Sequence, residues 1–133
     1  MSVVAIRAAL ETALSGMSPA ISTAWENVPF TTVAGTAYQS AYVMWTEPSN
    51  PEFSGGHQEK GIFQVSLKYP LLNGTLTAAT RAELLRTTFY RGNTFTSGAY
   101  KVIVERTPEI LAGFVEGDRW VVPVRIRFFV NIF

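Results

Sequence analysis

The residue best suited to chemistry is the single histidine, His57. A Ser–His–carboxylate triad would need its imidazole as the general base, because histidine is the side chain whose ordinary pKa lies near neutrality. His57 stands between Gly56 and Gln58 in a polar stretch rich in glycine, where no helix or strand is predicted to hold it. Catalysis requires side chains held in a fixed geometry. We therefore interpret His57 as a solvated loop residue, and a small hydrolase is kept only as an alternative.

Other catalytic and cofactor sites find no support in the sequence. The chain has no cysteine, and one histidine cannot build a histidine-rich metal cluster. The ten acidic residues fall in no motif that pairs two carboxylates for acid–base work, and neither GxGxxG nor GxxxxGK[ST] occurs. The sequence thus predicts no catalytic residue, no cofactor and no metal. Glu26, between Trp25 and Asn27, is expected to be buried and hydrogen-bonded in a structural role.

Basic and aromatic residues alternate at one place in a pattern that suits nucleic acid. Arg125, Arg127 and Phe129 would share one face of a strand, where they can stack bases and bind phosphates. Packing in the core and in protein interfaces explains the aromatic residues more simply, because 11 basic residues are scattered against 10 acidic ones. No specific nucleic-acid partner is predicted. Single-strand binding is an alternative that requires steeply salt-dependent affinity.

The composition is typical of one globular domain. A length of 133 residues predicts a single domain over residues 1–133. Hydrophobic residues make up 47% and charged residues 16%, which suits a buried core and leaves apolar surface for a partner. The N-terminus does not resemble a signal peptide, and no apolar run approaches the roughly 20 residues of a membrane span. We expect a soluble, intracellular protein with no membrane partner.

Two segments have helical periodicity. In residues 3–17 apolar side chains recur at spacings of three and four, which places them on one helix face. The second helix is predicted over about residues 77–90, with Gly92 as its C-cap. Thr80 and Glu83 have the spacing of a capping box, and a start one turn earlier is the alternative. Its apolar stripe comprises Ala78, Ala82, Leu85 and Phe89.

The remaining segments predict strands joined by turns. The clearest alternation of apolar and polar residues runs from residue 119 to the C-terminus, after a hairpin turn at 116–118. Residues 47–60 form a long polar loop, of a kind that is often functional. The fold class is therefore α+β, with two helices packed on a mostly antiparallel β-sheet. A short strand is predicted in the first half of residues 22–30, and further strands are predicted at 38–46, 63–69, 100–105, 112–115 and 119–133.

Four segments, in this order, resemble motifs of one protein family. The family is that of phage tail-terminator-like proteins, and the resemblance spans most of the chain. We interpret the signature residues of these motifs as structural; they are Trp25, Asn27, Pro29, Trp120 and Pro123. The segments are 25–30 (WENVPF), 61–70 (GIFQVSLKYP), 89–92 (FYRG) and 120–126 (WVVPVRI).

The resemblance implies a ring-forming subunit, similar in fold to the phage lambda tail terminator. Six copies would form a ring on the finished tail tube, end its polymerisation and present a surface for joining the head. The implied partners are other copies of the chain, the tail tube protein and a head-completion or neck protein, with the genome passing through the ring. The chain would be made in the host bacterial cytoplasm and lie at the head-proximal end of the virion tail. A neck or head–tail connector, or another minor tail structural protein, is the alternative.

Two exposed loops are the predicted docking surfaces, because loops at the ends of a sheet are free to contact partners. They are the loop at 47–60 and the turn at 116–119. Phe53 is either an apolar anchor for a partner or packs back onto its own domain. The candidate interface residues are Glu52, Phe53, His57, Glu59, Lys60, Asp118 and Arg119.

Overall fold

A computed structural model describes residues 2–48, 50, 56–71 and 74–132. These residues form two helices and eight strands, which confirms the predicted α+β class. Neither helix is both long and apolar enough to cross a membrane. The helices are α1 (Ser2–Ser15) and α2 (Leu76–Thr88); the strands are β1 (Ser22–Trp25), β2 (Tyr38–Trp45), β3 (His57–Pro70), β4 (Thr94–Ser97), β5 (Tyr100–Val104), β6 (Glu109–Ile110), β7 (Phe114–Glu116) and β8 (Arg119–Ile132).

All eight strands belong to one curled sheet in the order β1-β2-β3-β8-β5-β4, with β6 and β7 also paired to β8. The β1–β2 pair is parallel and the other pairs are antiparallel. The centre of the sheet is the pairing of β3 with β8, which runs from His57 opposite Ile132 to Pro70 opposite Arg119. The sequence predicted that β3 begins at Phe63. It begins six residues earlier, because the polar residues after Gly56 continue the pairing with β8.

The hydrophobic core lies between the two helices and one face of the sheet. Alternate residues of β3 and β8 point into it, as the alternation of apolar and polar residues predicts. Three phenylalanine side chains are almost fully buried, and the ring centres of Phe63 and Phe89 are 6.0 Å apart. These three are Phe63, Phe89 and Phe128.

The ends of α2 differ from the predicted ones. The helix begins after Thr75, whose side chain makes no capping hydrogen bond, and the Thr80 hydroxyl donates to the Leu76 carbonyl within the helix at 2.8 Å. Thr80 and Glu83 therefore form no capping box, and the alternative of a start one turn earlier is confirmed. The helix ends at Thr88 with Phe89 as C-cap, and Gly92, with φ of +88°, lies in the turn that leads to β4. The predicted C-cap at Gly92 is wrong by three residues.

Gly61 lies where β2, β3 and β8 approach closely. A Cβ atom added there would come within 2.8 Å of the Met44 carbonyl oxygen and 2.8 Å of the Phe128 ring. We expect Gly61→Ala to lower the free energy of unfolding, measured in urea, by about 1–3 kcal/mol, because the chain must shift to make room. Gly16→Ala is the control, since the nearest atom there is 3.4 Å away. Equal losses in both variants would contradict the close packing at Gly61.

Candidate docking surfaces

His57 lies on a strand, not in a loop. It is the first residue of β3, and its Nε2 atom lies 3.0 Å from the Glu59 carboxylate. The His57 side chain is 29% exposed and the Glu59 side chain is 15% exposed, so both are mostly buried. The prediction that no rigid element holds His57 is therefore wrong, because the pairing with β8 fixes its backbone opposite Ile132. Lys60 follows on the same strand, so this residue too lies outside a loop.

Lys60 borders an open groove in which cations predominate. The groove has a volume of about 530 Å³ and lies between the end of β2, β3 and the segment that follows β5. Three basic side chains and one acidic side chain line it, so its surface carries net positive charge. Such a surface attracts acidic protein surfaces and nucleic-acid phosphates. The charged lining residues are Lys60, Glu105, Arg106 and Arg127.

Asp118 and Arg119 occupy contrasting environments at the other end of β8. The Asp118 side chain, in the turn between β7 and β8, is 82% exposed. Arg119 is only 4% exposed, and its guanidinium donates hydrogen bonds to the backbone carbonyls of Thr36 and Val33, the latter at 2.7 Å. The predicted exposure of Arg119 is therefore wrong. These hydrogen bonds hold the segment before β2 against its own domain. The Cζ atom of Arg119 also lies 5.0 Å from the ring centre of Tyr38.

The structure does not bring the predicted interface residues into one site. His57 pairs with Ile132 at one end of the β3–β8 ribbon, whereas Arg119 pairs with Pro70 at the other end. Thirteen residue steps along a strand span about 40 Å. The described candidates thus form two separate surfaces at opposite ends of the longest strands. Glu52 and Phe53 lie outside the described residues.

Glu26, in the first of the four motifs (WENVPF, residues 25–30), has a structural role. One of its carboxylate oxygens accepts hydrogen bonds from Arg7 Nη1 and from the Val43 backbone N–H, each at 2.8 Å. β1 ends at Trp25, so the Glu26 side chain accepts a hydrogen bond from β2 just beyond the last β1–β2 pair. The following residue, Asn27, turns the chain away with φ of +55°. The predicted hydrogen-bonded role of Glu26 is confirmed, but its predicted burial is wrong, since its side chain is 40% exposed.

The hydrogen bonds to Glu26 predict how its contribution to stability depends on pH. Burial raises the pKa of the Glu26 carboxyl. The hydrogen bonds from Arg7 and from the Val43 N–H, together with the positive charge of Arg7, lower this pKa by more than burial raises it. The pKa of Glu26 is therefore lowered from its ordinary value of 4.5. Because the pKa is lower in the folded state, ionised Glu26 stabilises the fold above pH 4.5. This stabilisation is lost as the pH falls through the folded-state pKa.

We therefore expect Glu26→Gln to destabilise the fold at pH 7 by at most about 1 kcal/mol, because the site is partly exposed and screened. The difference from the wild type should shrink when urea unfolding is repeated near pH 3. Glu109→Gln, on exposed β6, is the control for general charge effects. A difference that stays constant between the two pH values would contradict an ionised, hydrogen-bonded Glu26.

Several apolar side chains in short strands and irregular segments are exposed to solvent. Val28 and Val33 are 54% and 62% exposed in the segment that Arg119 holds, and Phe114 and Val115 of β7 are 43% and 62% exposed. Apolar residues in short strands and irregular segments carry no periodicity that distinguishes core from surface. Their exposure becomes visible only once the fold is known.

The described residues assemble no recognisable metal site. Within 2–48, 50, 56–71 and 74–132, no three His, Cys, Asp or Glu side chains come together in a way that could hold a metal ion. The 3.0 Å contact between His57 and Glu59 joins two residues on the same face of one strand.

Comparison with known proteins shows the family to which the chain belongs. A family model described as phage tail terminator protein matches residues 5–128. No curated protein matches the chain. One matching solved structure, whose name describes no function, is 29% identical in sequence, and the match covers 100% of this chain and 98% of that chain with a TM-score of 0.82. The chain therefore belongs to the phage tail terminator family, a family of structural components of the virion tail.

Proposed function

We propose that this chain forms a closed ring, of six copies, that caps the head-proximal end of the phage tail tube. Capping ends tube polymerisation and presents a new surface to which the head or a neck protein joins. The observation that carries this proposal is the family match, which extends over nearly the whole described fold. The chain would be made in the host bacterial cytoplasm and then become part of the tail.

Two separate surfaces are what a capping ring needs. One side of the ring must fit the tube, and the other side must fit the head without accepting another tube subunit. The ends of the β3–β8 ribbon provide two surfaces of different chemistry on rigid strands. One has Lys60 and the basic groove, and the other has the exposed Asp118. Complementary charge at such surfaces favours the correct partner over wrong ones.

The docking residues are proposed with distinct roles. His57, Glu59 and Lys60 act from the start of β3, and Asp118 acts from the turn before β8. Glu52 and Phe53 are proposed on their sequence alone as contacts to the tube or to a neighbouring copy. Arg119 acts as a positioning residue, because its guanidinium is buried and bound to backbone carbonyls.

The genome would pass through this ring without sequence-specific contact. The net charge of the chain is only +1, so strong general binding of DNA is not expected of one subunit. The cations of the groove at Lys60 still provide weak attraction for phosphates if they line the channel.

The experiment is a measurement of mass by multi-angle light scattering over a range of protein and salt concentrations, with negative-stain images of the largest species. Six copies of a 14.7 kDa chain weigh about 88 kDa, and a closed ring stops growing at that mass. Closed rings of constant size are the expected result. Open-ended tubes would instead identify a tube subunit, and rings that bind a neck protein but not the tube would favour the connector alternative.

A further inference from the structure

The face of the sheet that points away from the two helices carries an excess of positive charge around β8. In β3 and β8 the residues of this face alternate with those of the core, so that Ile62 lies beside Arg127 and Gln64 lies beside Arg125. Basic residues outnumber acidic ones here among the described residues. We call this region the cationic face; its charged residues are Lys60, Arg106, Arg125, Arg127, Glu105 and Glu109.

The carboxylates of the cationic face do not form ion pairs with its arginines. Glu105 lies opposite Arg127, whose carbonyl oxygen accepts the Glu105 N–H at 2.9 Å, and Glu109 lies opposite Arg125. In the part of the chain that the structure describes, none of the ion pairs joins these residues. The Arg125 Nε instead donates to the neutral Gln64 side chain at 3.1 Å. The guanidinium groups are therefore available to an anionic ligand, for which arginine provides several donors.

The groove at the centre of the cationic face suits phosphates better than another protein. The centre of a protein–protein interface is usually apolar and depleted in charged residues. This groove, with a volume of about 530 Å³, is lined by four charged side chains and by Thr46, and Ile62 is the one large apolar side chain among its described lining residues. Arginine, lysine and hydroxyl groups are the side chains that bind the phosphates and sugars of nucleic acids.

The weak charge of one subunit is multiplied by assembly. The net charge of the chain is only +1, so a single copy binds DNA weakly. A ring presents the cationic face once in every copy, and linked weak sites bind a long ligand far more tightly than one site does. Binding through phosphates alone also leaves the DNA free to slide, because no base is read.

We propose that the cationic face binds the phosphate backbone of duplex DNA without regard to sequence, and that it therefore faces the channel of the ring. Arg106 and Arg127 contact phosphate oxygens directly, while Lys60 borders the face at the start of β3. This inference rests on the proposed ring and identifies the surface of each copy that meets the genome.

The first test is the salt dependence of DNA binding by the assembled protein. The fluorescence anisotropy of two labelled short duplexes of unrelated sequence would be measured between about 50 and 200 mM salt. We expect equal affinity for both sequences and a loss of affinity of at least about tenfold over this range, because each neutralised phosphate releases counterions. Arg127→Gln is expected to lower the slope of log affinity against log salt by about one or more.

Arg7→Gln is the matched control, because it removes the same charge from α1, on the other side of the sheet. This variant should bind both duplexes as the wild type does. Polyglutamate is the competitor that separates DNA from an acidic protein surface. At equal charge concentration it should displace the duplex poorly, since its charges are less dense than those of DNA.

A second measurement locates the bound DNA on the subunit. The chain has no cysteine, so one introduced cysteine can carry a photoactivatable cross-linker at a chosen place. Thr46→Cys lies at the groove, and Leu76→Cys lies on α2, and both positions are exposed. Irradiation of rings mixed with duplex DNA is expected to give a cross-link yield from position 46 several times that from position 76.

The outcomes separate the DNA contact from the ring itself. Rings that bind no duplex, that bind it equally well after Arg127→Gln, or that release it to polyglutamate at equal charge would overturn the DNA contact and leave the ring proposal standing. Equal cross-linking from positions 46 and 76 would overturn it as well. Monomers that bind the duplex through Arg127 would support the cationic face and overturn the ring.

Discussion

Replacing Phe89 by alanine is expected to lower the free energy of unfolding by about 3–5 kcal/mol, because a large ring is removed from a site with almost no exposure. Phe89 is the C-cap residue of α2, and its ring lies 6.0 Å from that of Phe63 and 5.2 Å from that of Phe95. The side chain therefore joins the helix to β3 and to β4. A cavity at this point loosens all three elements at once.

Tyr90→Ala is the matched control, since Tyr90 is the next residue and is 55% exposed. Urea unfolding should place this variant within about 0.5 kcal/mol of the wild type. If both variants lose the same stability, Phe89 does not occupy the centre of the core and the packing of α2 described above is incorrect.

The second large effect is expected for Arg119→Met. The substitution keeps the length of the side chain but removes the donors to the carbonyls of Val33 and Thr36, leaving those groups without their partners. We expect a loss of about 2–4 kcal/mol, because hydrogen bonds from a charged donor contribute more than neutral ones. Limited proteolysis should also cut the segment before β2 faster in the variant.

Arg127→Met is the control for this substitution. Arg127 lies on the same strand with its side chain exposed, so its loss should change stability by less than about 0.5 kcal/mol. Arg119→Lys should recover only part of the stability, because an ammonium group cannot reproduce the fork of donors of a guanidinium. A variant Arg119→Met that is as stable and as resistant to protease as the Arg127 variant would show that the buried arginine does not hold this segment.

The regular elements of the fold could be predicted because their patterns are local. β8 has an apolar residue at every second position from Trp120 to Ile132, and α1 repeats its apolar residues at helical spacing, so each element carries its own signal. β4 and β6, of four and two residues, carry none, and they form only because β5 and β8 offer them a partner. Their positions depend on contacts that a local pattern does not contain.

The candidate site was predictable in part for the same reason. The exposure of Asp118 follows from the turn residues around it, and the hydrogen-bonded role of Glu26 follows from its apolar neighbours. The glycine and polar residues around His57 predict a loop, whereas pairing with the long strand β8 extends β3 to include His57. The burial of Arg81 and Arg119 depends on segments more than 60 residues away along the chain, with separations of 62 and 86 for two of their hydrogen bonds.

The most direct test of the central claim is the length of tail tubes. Tubes of the phage's own tail tube protein would be assembled on tail tips without a terminator, with and without this chain, and measured in electron micrographs. We expect tubes to stop elongating and to carry a ring at one end when the chain is present. Tubes that continue to grow at the same rate, with no ring at their ends, would contradict the proposed function.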